Sequence, residues 1–190
     1  MRFFRFLFSL ALVALTACVA NSDKEQNLYI ISTNDMHASI EAMPRLATLV
    51  KEYEALGEVV VVDSGDRVTG NAYVDDDHRP GVPMIELMNE IGYDVVTLGN
   101  HEFDKGHDAL NAMVEASDFE WVCANMTDHK GGSKIKPYTT LSVAGIDLGI
   151  VGVVDTDFGG RPMGGDASYI DFSFTDDRTT AFCNTNEMVR

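Results

Sequence analysis

The feature that most constrains this chain is an alternation between short β-branched or aliphatic runs and segments whose apolar residues recur every three or four positions. Leu28 to Thr33 reads as a strand, and Met43, Leu46, Val50 and Tyr53 share one stripe of a helix ended by Gly57. Glu58 to Asp63 holds four consecutive valines, the pattern of a strand buried on both faces. Pro83 opens a second helix with Met84, Leu87, Met88 and Ile91 on one side and Gly92 at its end. Asp94 to Leu98 is the third strand, Gly106 to Ser117 the third helix, and Phe119 to Ala124 the fourth strand. Strands joined through helices run in the same direction, so this pattern predicts βαβ units and a largely parallel sheet.

The pattern then changes. Asn125 to Lys134 reads as a loop, and the runs Tyr138 to Ala144 and Ile146 to Val154 flank Gly145 as an antiparallel hairpin would. Gly159 to Gly165 is a second loop, Tyr169 to Phe174 a candidate strand, and Asp176 a candidate cap for a helix running toward Arg190. In an α/β domain such a helix ordinarily delivers the chain to another strand. The expectation is therefore an architecture truncated at its C-terminus, with residues 28–190 as the N-terminal part of one domain. No internal repeat and no low-complexity tract interrupts it.

Residues 1–17 place Arg2 and Arg5 before the apolar run Phe6 to Val13 and close on Leu15-Thr16-Ala17, the layout of a secretory signal. The run is shorter than the roughly 20 residues of a membrane-spanning helix. Leu15-Thr16-Ala17-Cys18 resembles a bacterial lipobox, which implies a lipidated Cys18, a polar tether over residues 18–27, and a protein anchored in the cell envelope, facing periplasm or exterior. Cys123 and Cys183 are the other cysteines, too few for a disulfide scaffold.

With 14 basic against 30 acidic residues the formal charge is -16, and loss of the signal's two arginines makes it more negative still. Capture of a nucleic acid polymer or of anionic lipid by a general positive field is excluded. An anionic substrate would need local help from metal ions.

Polar side chains cluster just after three successive strands, where ligands of open α/β sheets bind. The first strand delivers Asn34-Asp35-Met36-His37, the second Asp63-Ser64-Gly65-Asp66, and the third Gly99-Asn100-His101-Glu102-Phe103-Asp104. Asp35 and His37, two apart, can offer an oxygen and an imidazole nitrogen to one metal. Gly65 permits a tight turn that swings the Asp66 carboxylate inward. Asn100 offers a neutral amide oxygen, His101 can face a substrate, and Asp104 can hold that imidazole's other nitrogen and favour its protonated form. Asp75-Asp76-Asp77 reads as a solvated loop, His78, His107 and His129 as surface-loop residues, and Trp121 and Cys123 as core.

These three groups resemble the first three motifs of the calcineurin-like metallophosphoesterases. Ser32 to His37 together with Thr97 to Asp104 resembles, more narrowly, the bacterial 5'-nucleotidase and UDP-sugar hydrolase branch. The resemblance implies an α/β fold of the αββα sandwich type with a mixed sheet, and metal-dependent hydrolysis of small phosphate esters, nucleotides foremost. It assigns Asp35 and His37 to one metal, Asp66 to both and Asn100 to the second, with His101 and Asp104 as the catalytic dyad. It implies two divalent ions; oxygen and nitrogen donors without thiolate suit zinc, manganese or iron. The family's later histidine motifs and its base-binding C-terminal domain are missing, and no histidine follows His129. Two other readings follow from that departure: a non-catalytic remnant lipoprotein, and half of an enzyme completed by another chain.

Overall fold

The alternation folds into consecutive parallel units. In the computed structural model, which describes residues 27–188 apart from 158 and 165, β1 (Leu28–Thr33) leads to α1 (Met43–Glu54) and β2 (Glu58–Asp63). A short α2 (Ala72–Asp75) and α3 (Val82–Ile91) precede β3 (Val95–Val96), and α4 (Gly106–Ala116) precedes β4 (Glu120–Trp121). The sequence cues act where expected. Prolines stand in the first turns of α1 and α3, and Gly92 closes α3 with φ of 88°. The expected signal segment and Cys18 lie outside the described residues.

All three ladders of the sheet are parallel, in the order β1-β2-β3-β4, so the loops leaving β1, β2 and β3 stand side by side at one edge. The main core lies on one face of the sheet, where Val61, Val96 and Trp121 meet Met43 and Val50 of α1, Met84, Ile85 and Met88 of α3, and Leu110 and Met113 of α4. On β2 the neighbours Val60 and Val61 are both buried, as a strand covered on two faces requires. Trp121 and Cys123 are core residues, and burial pushes the Cys123 thiol up to about 12.

Two strands of the parallel sheet are shorter than their sequence suggests, as is the candidate strand Tyr169 to Phe174, of which Phe172–Phe174 is extended while Tyr169 ends a 3-10 turn. Thr97 still donates to the Asp63 carbonyl, but the chain then leaves the sheet to enter the site. After β4, Cys123 and Ala124 donate to Lys136 and Gly152, so this stretch pairs with returning chain in place of β3.

The second region departs further from expectation. Within the supposed loop 125–134, β5 (Met126–Asp128) pairs antiparallel with β8 (Phe172–Phe174), a short partner too distant in sequence to be visible as a hairpin. Between them, β6 (Tyr138–Val143) and β7 (Ile146–Val151) form the expected hairpin around Ala144 and Gly145, both at positive φ as a two-residue primed turn demands. Asp176 caps the final helix, α5 (Asp177–Met188), by accepting from the Thr179 amide at 2.8 Å. The α/β architecture thus carries parallel pairing in one four-stranded sheet and antiparallel pairing in two short ladders. Phe103 joins the regions: it is fully buried, with ring centroids 5.2, 5.1 and 5.5 Å from Tyr169, Phe172 and Phe174.

One expectation is overturned. His107 is not a surface residue; it is buried on α4, its Nε2 lies 3.0 Å from Asp128 Oδ1, and its ring stacks on Phe172 at 5.5 Å. The strand at 126–128, unseen in the sequence, is what brings Asp128 over the helix. His78 and His129 are exposed as expected.

Candidate active site

The three polar clusters are stitched into one structure by backbone. Asp35, His37 and Ala38 donate to the carbonyls of Gly65, Asp66 and Arg67 at 3.0, 2.9 and 2.8 Å, so the loop after β1 continues the pairing beyond the strands. The loops after β2 and β3 are pressed together so closely that a Cβ on Gly65 would lie 2.2 Å from the Gly99 nitrogen, and one on Gly99 2.2 Å from Asp66 Oδ1. Glycine at both positions is therefore a packing requirement as well as a turn requirement.

Asp35, His37 and Asp66 each sit in the left-handed region, at φ of 50°, 46° and 55°, three of the six non-glycine residues with positive φ among the described residues. Such backbone costs on the order of 1–3 kcal/mol per residue and tends to concentrate at functional sites. His37 Nδ1 lies 3.1 Å from the Thr69 carbonyl, which can only accept, so in the neutral tautomer Nδ1 carries the proton and Nε2 the lone pair. That nitrogen lies 4.0 Å from Asp35 Oδ1. The two form an exposed oxygen and nitrogen pair at one margin of the site.

The rings of His37 and His101 meet edge to face with centroids 4.8 Å apart. His101 Nδ1 lies 2.7 Å from Asp104 Oδ2, which also accepts from the Thr69 hydroxyl at 2.9 Å, and the His101 amide donates to Asp66 Oδ1 at 2.9 Å. Desolvation works against protonation of His101, but the Asp104 hydrogen bond and the charges of Asp104, Asp66 and Glu102 carry its pKa above the usual histidine value. Asp66 and Asn100 line a cavity of about 510 Å³ with Ser64, Asp155, Asp157 and Met163. A larger hollow of about 930 Å³ runs along α1, but no such polar constellation lines it. Thus the structure brings Asp35 beside His37, His37 beside His101, and His101 beside both Asp104 and Asp66, with Asn100 on the cavity side. Among the described residues, no group of three or more His, Cys, Asp or Glu side chains is arranged to hold a metal ion.

Beneath the site lies a buried network that motif reading left without a role. Asp63 accepts from Thr33 Oγ1 at 2.7 Å, from the Gly65 amide at 3.0 Å and from Arg67 Nε at 2.8 Å. Arg67 is fully buried, lies 4.5 Å over the Trp121 ring, and stays protonated because Asp63 and Glu102 outweigh its burial. Glu102 accepts three backbone amides. Burial pushes the Tyr93 hydroxyl, 2.9 Å from Thr33 Oγ1, up to about 12. Asp75, taken from the sequence as solvated, instead ties down the loop before α2 by accepting the amides of Thr69, Gly70 and Asn71. The sequence signal for this network was the placement of Arg67 and Glu102 directly beside residues already singled out.

Known proteins resemble this chain over the same part of the sequence. The family model for calcineurin-like phosphoesterase matches residues 28–180. A 5'-nucleotidase of Vibrio parahaemolyticus is 30% identical over 165 residues, covering 77% of this chain and 29% of that protein. The trifunctional nucleotide phosphoesterase protein YfkN of Bacillus subtilis is 32% identical over 136 residues, covering 59% of this chain and 9% of that protein. Among solved structures, a 5'-nucleotidase precursor from Thermus thermophilus superposes with a TM-score of 0.74 at 25% identity, over 84% of this chain and 34% of that one. The chain thus spans about a third or less of the length of these relatives. Over the three loops and the sheet that carries them, it belongs to the calcineurin-like phosphoesterase family.

Proposed function

We propose that residues 28–125 carry the first half of a metal-dependent phosphoesterase site that acts on nucleotides and related small phosphate esters. The observation that carries this reading is the convergence of three left-handed donor residues, Asp35, His37 and Asp66, on the His101–Asp104 pair. The donor set suits divalent cations: Asp35 Oδ1 and His37 Nε2 at one margin, and Asp66 and Asn100 toward the cavity. Two ions held there, zinc, manganese or iron, would neutralise phosphate charge and acidify a bound water. The protein's own groups supply the rest. Asp104, steadied by Thr69, fixes the His101 ring and favours its charged form, so that Nε2 can give a hydrogen bond to the phosphate or a proton to the leaving oxygen.

A second reading is favoured by one observation. Because no group of three or more His, Cys, Asp or Glu side chains among the described residues is arranged to hold a metal ion, we infer that further ligands are supplied by another segment or a separate chain. We also propose that Cys18 is lipidated and holds the protein to a membrane in the cell envelope. No helix among the described residues is long and apolar enough to cross one. Replacing Cys18 by Ser should release the protein from the membrane fraction and abolish the acyl mass.

Elemental analysis after dialysis, paired with manganese- or zinc-supplemented hydrolysis of a nucleoside monophosphate, a cyclic nucleotide and a UDP-sugar, tests the main reading. The expected result is weak metal retention that Asp66→Ala abolishes, with low turnover. Metal content indistinguishable between the wild type and Asp66→Ala would overturn it.

A further inference from the structure

Glu102 is a carboxylate sealed inside the protein, 1% exposed, on the turn that also carries His101. Both its oxygens are committed to backbone. Oε2 accepts from the Asp66 amide at 3.0 Å and the Gly99 amide at 2.6 Å, and Oε1 accepts from the Arg67 amide at 3.0 Å. Two of these amides belong to the loop after β2 and one to the loop after β3, so a single side chain spans the two loops. Hydrogen bonds to an ionised acceptor are shorter and roughly twice as strong as neutral ones.

The charge is matched by Arg67, whose Nε is 3.9 Å from Glu102 Oε1 and 2.8 Å from Asp63 Oδ1. A buried ion pair is weak evidence for net stability, because desolvation offsets most of the attraction and apolar residues often serve as well. Stability alone therefore does not account for this pair. Its geometry does: Asp66 is held at φ of 55°, its amide is anchored by Glu102, and its Oδ1 in turn accepts the His101 amide. The strained backbone persists only while its surroundings over-determine it.

We propose that Glu102, paired with Arg67 and bonded to three backbone amides, is a positioning residue that locks the loops bearing Asp66, Asn100 and His101 together and so fixes the spacing of the donors offered to a divalent ion. The inference rests on the metal reading above and adds to it the device that sets the donor geometry. Residues that orient metal ligands from behind typically contribute on the order of 10- to 100-fold in affinity.

The test compares the wild type with Glu102→Gln, which keeps the shape and removes the charge, and Glu102→Asp, which keeps the charge and withdraws the carboxylate by one methylene. Met88→Ala, a core truncation on α3 away from the site, serves as a control for lost stability. Mn²⁺ affinity is read by paramagnetic resonance titration. Amide hydrogen exchange of the metal-free proteins is read by NMR at Asp66, Gly99 and His101 against the amides of α3. Both Glu102 variants should bind Mn²⁺ about 10- to 100-fold more weakly and exchange faster at those three amides. Met88→Ala should lose thermal midpoint with little change in affinity. Affinity that is unchanged in the Glu102 variants, or that falls only in step with midpoint as in Met88→Ala, overturns the proposal. If the wild type binds no Mn²⁺, the metal reading fails and exchange alone decides: selective acceleration at Asp66, Gly99 and His101 sustains the positioning role, and uniform acceleration refutes it. Should Glu102→Gln not fold, Glu102→Asp carries both measurements.

Discussion

Residues 28–125 and 126–188 differ in how their polar groups are held. In the first region even the charged residues under the site are buried and bonded: Asp63, Arg67 and Glu102 form one network, and strained residues stand at its surface. In the second region pairing is antiparallel, and the residues that are buried are chiefly apolar, Val154, Tyr169 and Phe172 among them. The contrast teaches where geometry is stored. A network of buried charges specifies loop positions that a merely apolar contact would leave variable, whereas the second region meets the first through rings packed around Phe103 and through backbone pairing of Cys123 and Ala124 with Lys136 and Gly152. That packing still matters to the site, because Phe103 is two residues from His101.

The comparison breaks most visibly if the weld is not needed. Phe103→Ala should cost about 3–5 kcal/mol, the usual range for a buried phenylalanine, read as a lower urea midpoint. A loss below about 1 kcal/mol would mean that the rings around Phe103 do not couple the two regions. His101→Ala asks whether the first region divides its labour. Turnover of a nucleotide should fall on the order of 100-fold or more while metal content measured after dialysis is retained; equal loss of metal would merge the two roles. His107→Ala probes a further contact between the regions. It should cost about 1–3 kcal/mol by removing a buried imidazole that bonds Asp128 and stacks on Phe172, measured by denaturant titration, with no effect on metal affinity.

A smaller effect sharpens the electrostatic side. Because the pKa of His101 is raised, its interaction with Asp104 stabilises the metal-free fold fully below the ordinary histidine value near 6.5, and this is lost as pH rises through the folded value. NMR titration should place the His101 midpoint above the ordinary histidine value near 6.5. The stability gap between the wild type and Asp104→Asn should narrow with rising pH. A His101 midpoint at or below that ordinary value would show that burial outweighs Asp104.

Much of the first region was legible because its signals are local. Four valines in β2, a proline at the start of α3, and polar residues after each strand each act within a few positions. What escaped is long-range. Asp128 meets His107 across 21 residues, and Met126–Asp128 pairs with a strand more than 40 residues away, so neither leaves a periodic trace. Glu102 escaped for another reason. A carboxylate beside a histidine suggests ligation, and only the geometry shows its oxygens already taken by three amides. The positive φ of Asp35 and His37 was equally hidden, since aspartate and histidine tolerate that region without announcing it.

The central claim, that the metal-binding chemistry resides in the loops after β1, β2 and β3, is tested most directly by Zn²⁺ titration of isotopically labelled protein followed by amide NMR shifts. Saturable shifts centred on Asp35, His37, Asp66 and Asn100, leaving β6 and β7 unmoved, are the predicted result. Shifts centred instead on Asp75 to Asp77 or on the His107–Asp128 pair, or no saturable shift at all, would contradict it.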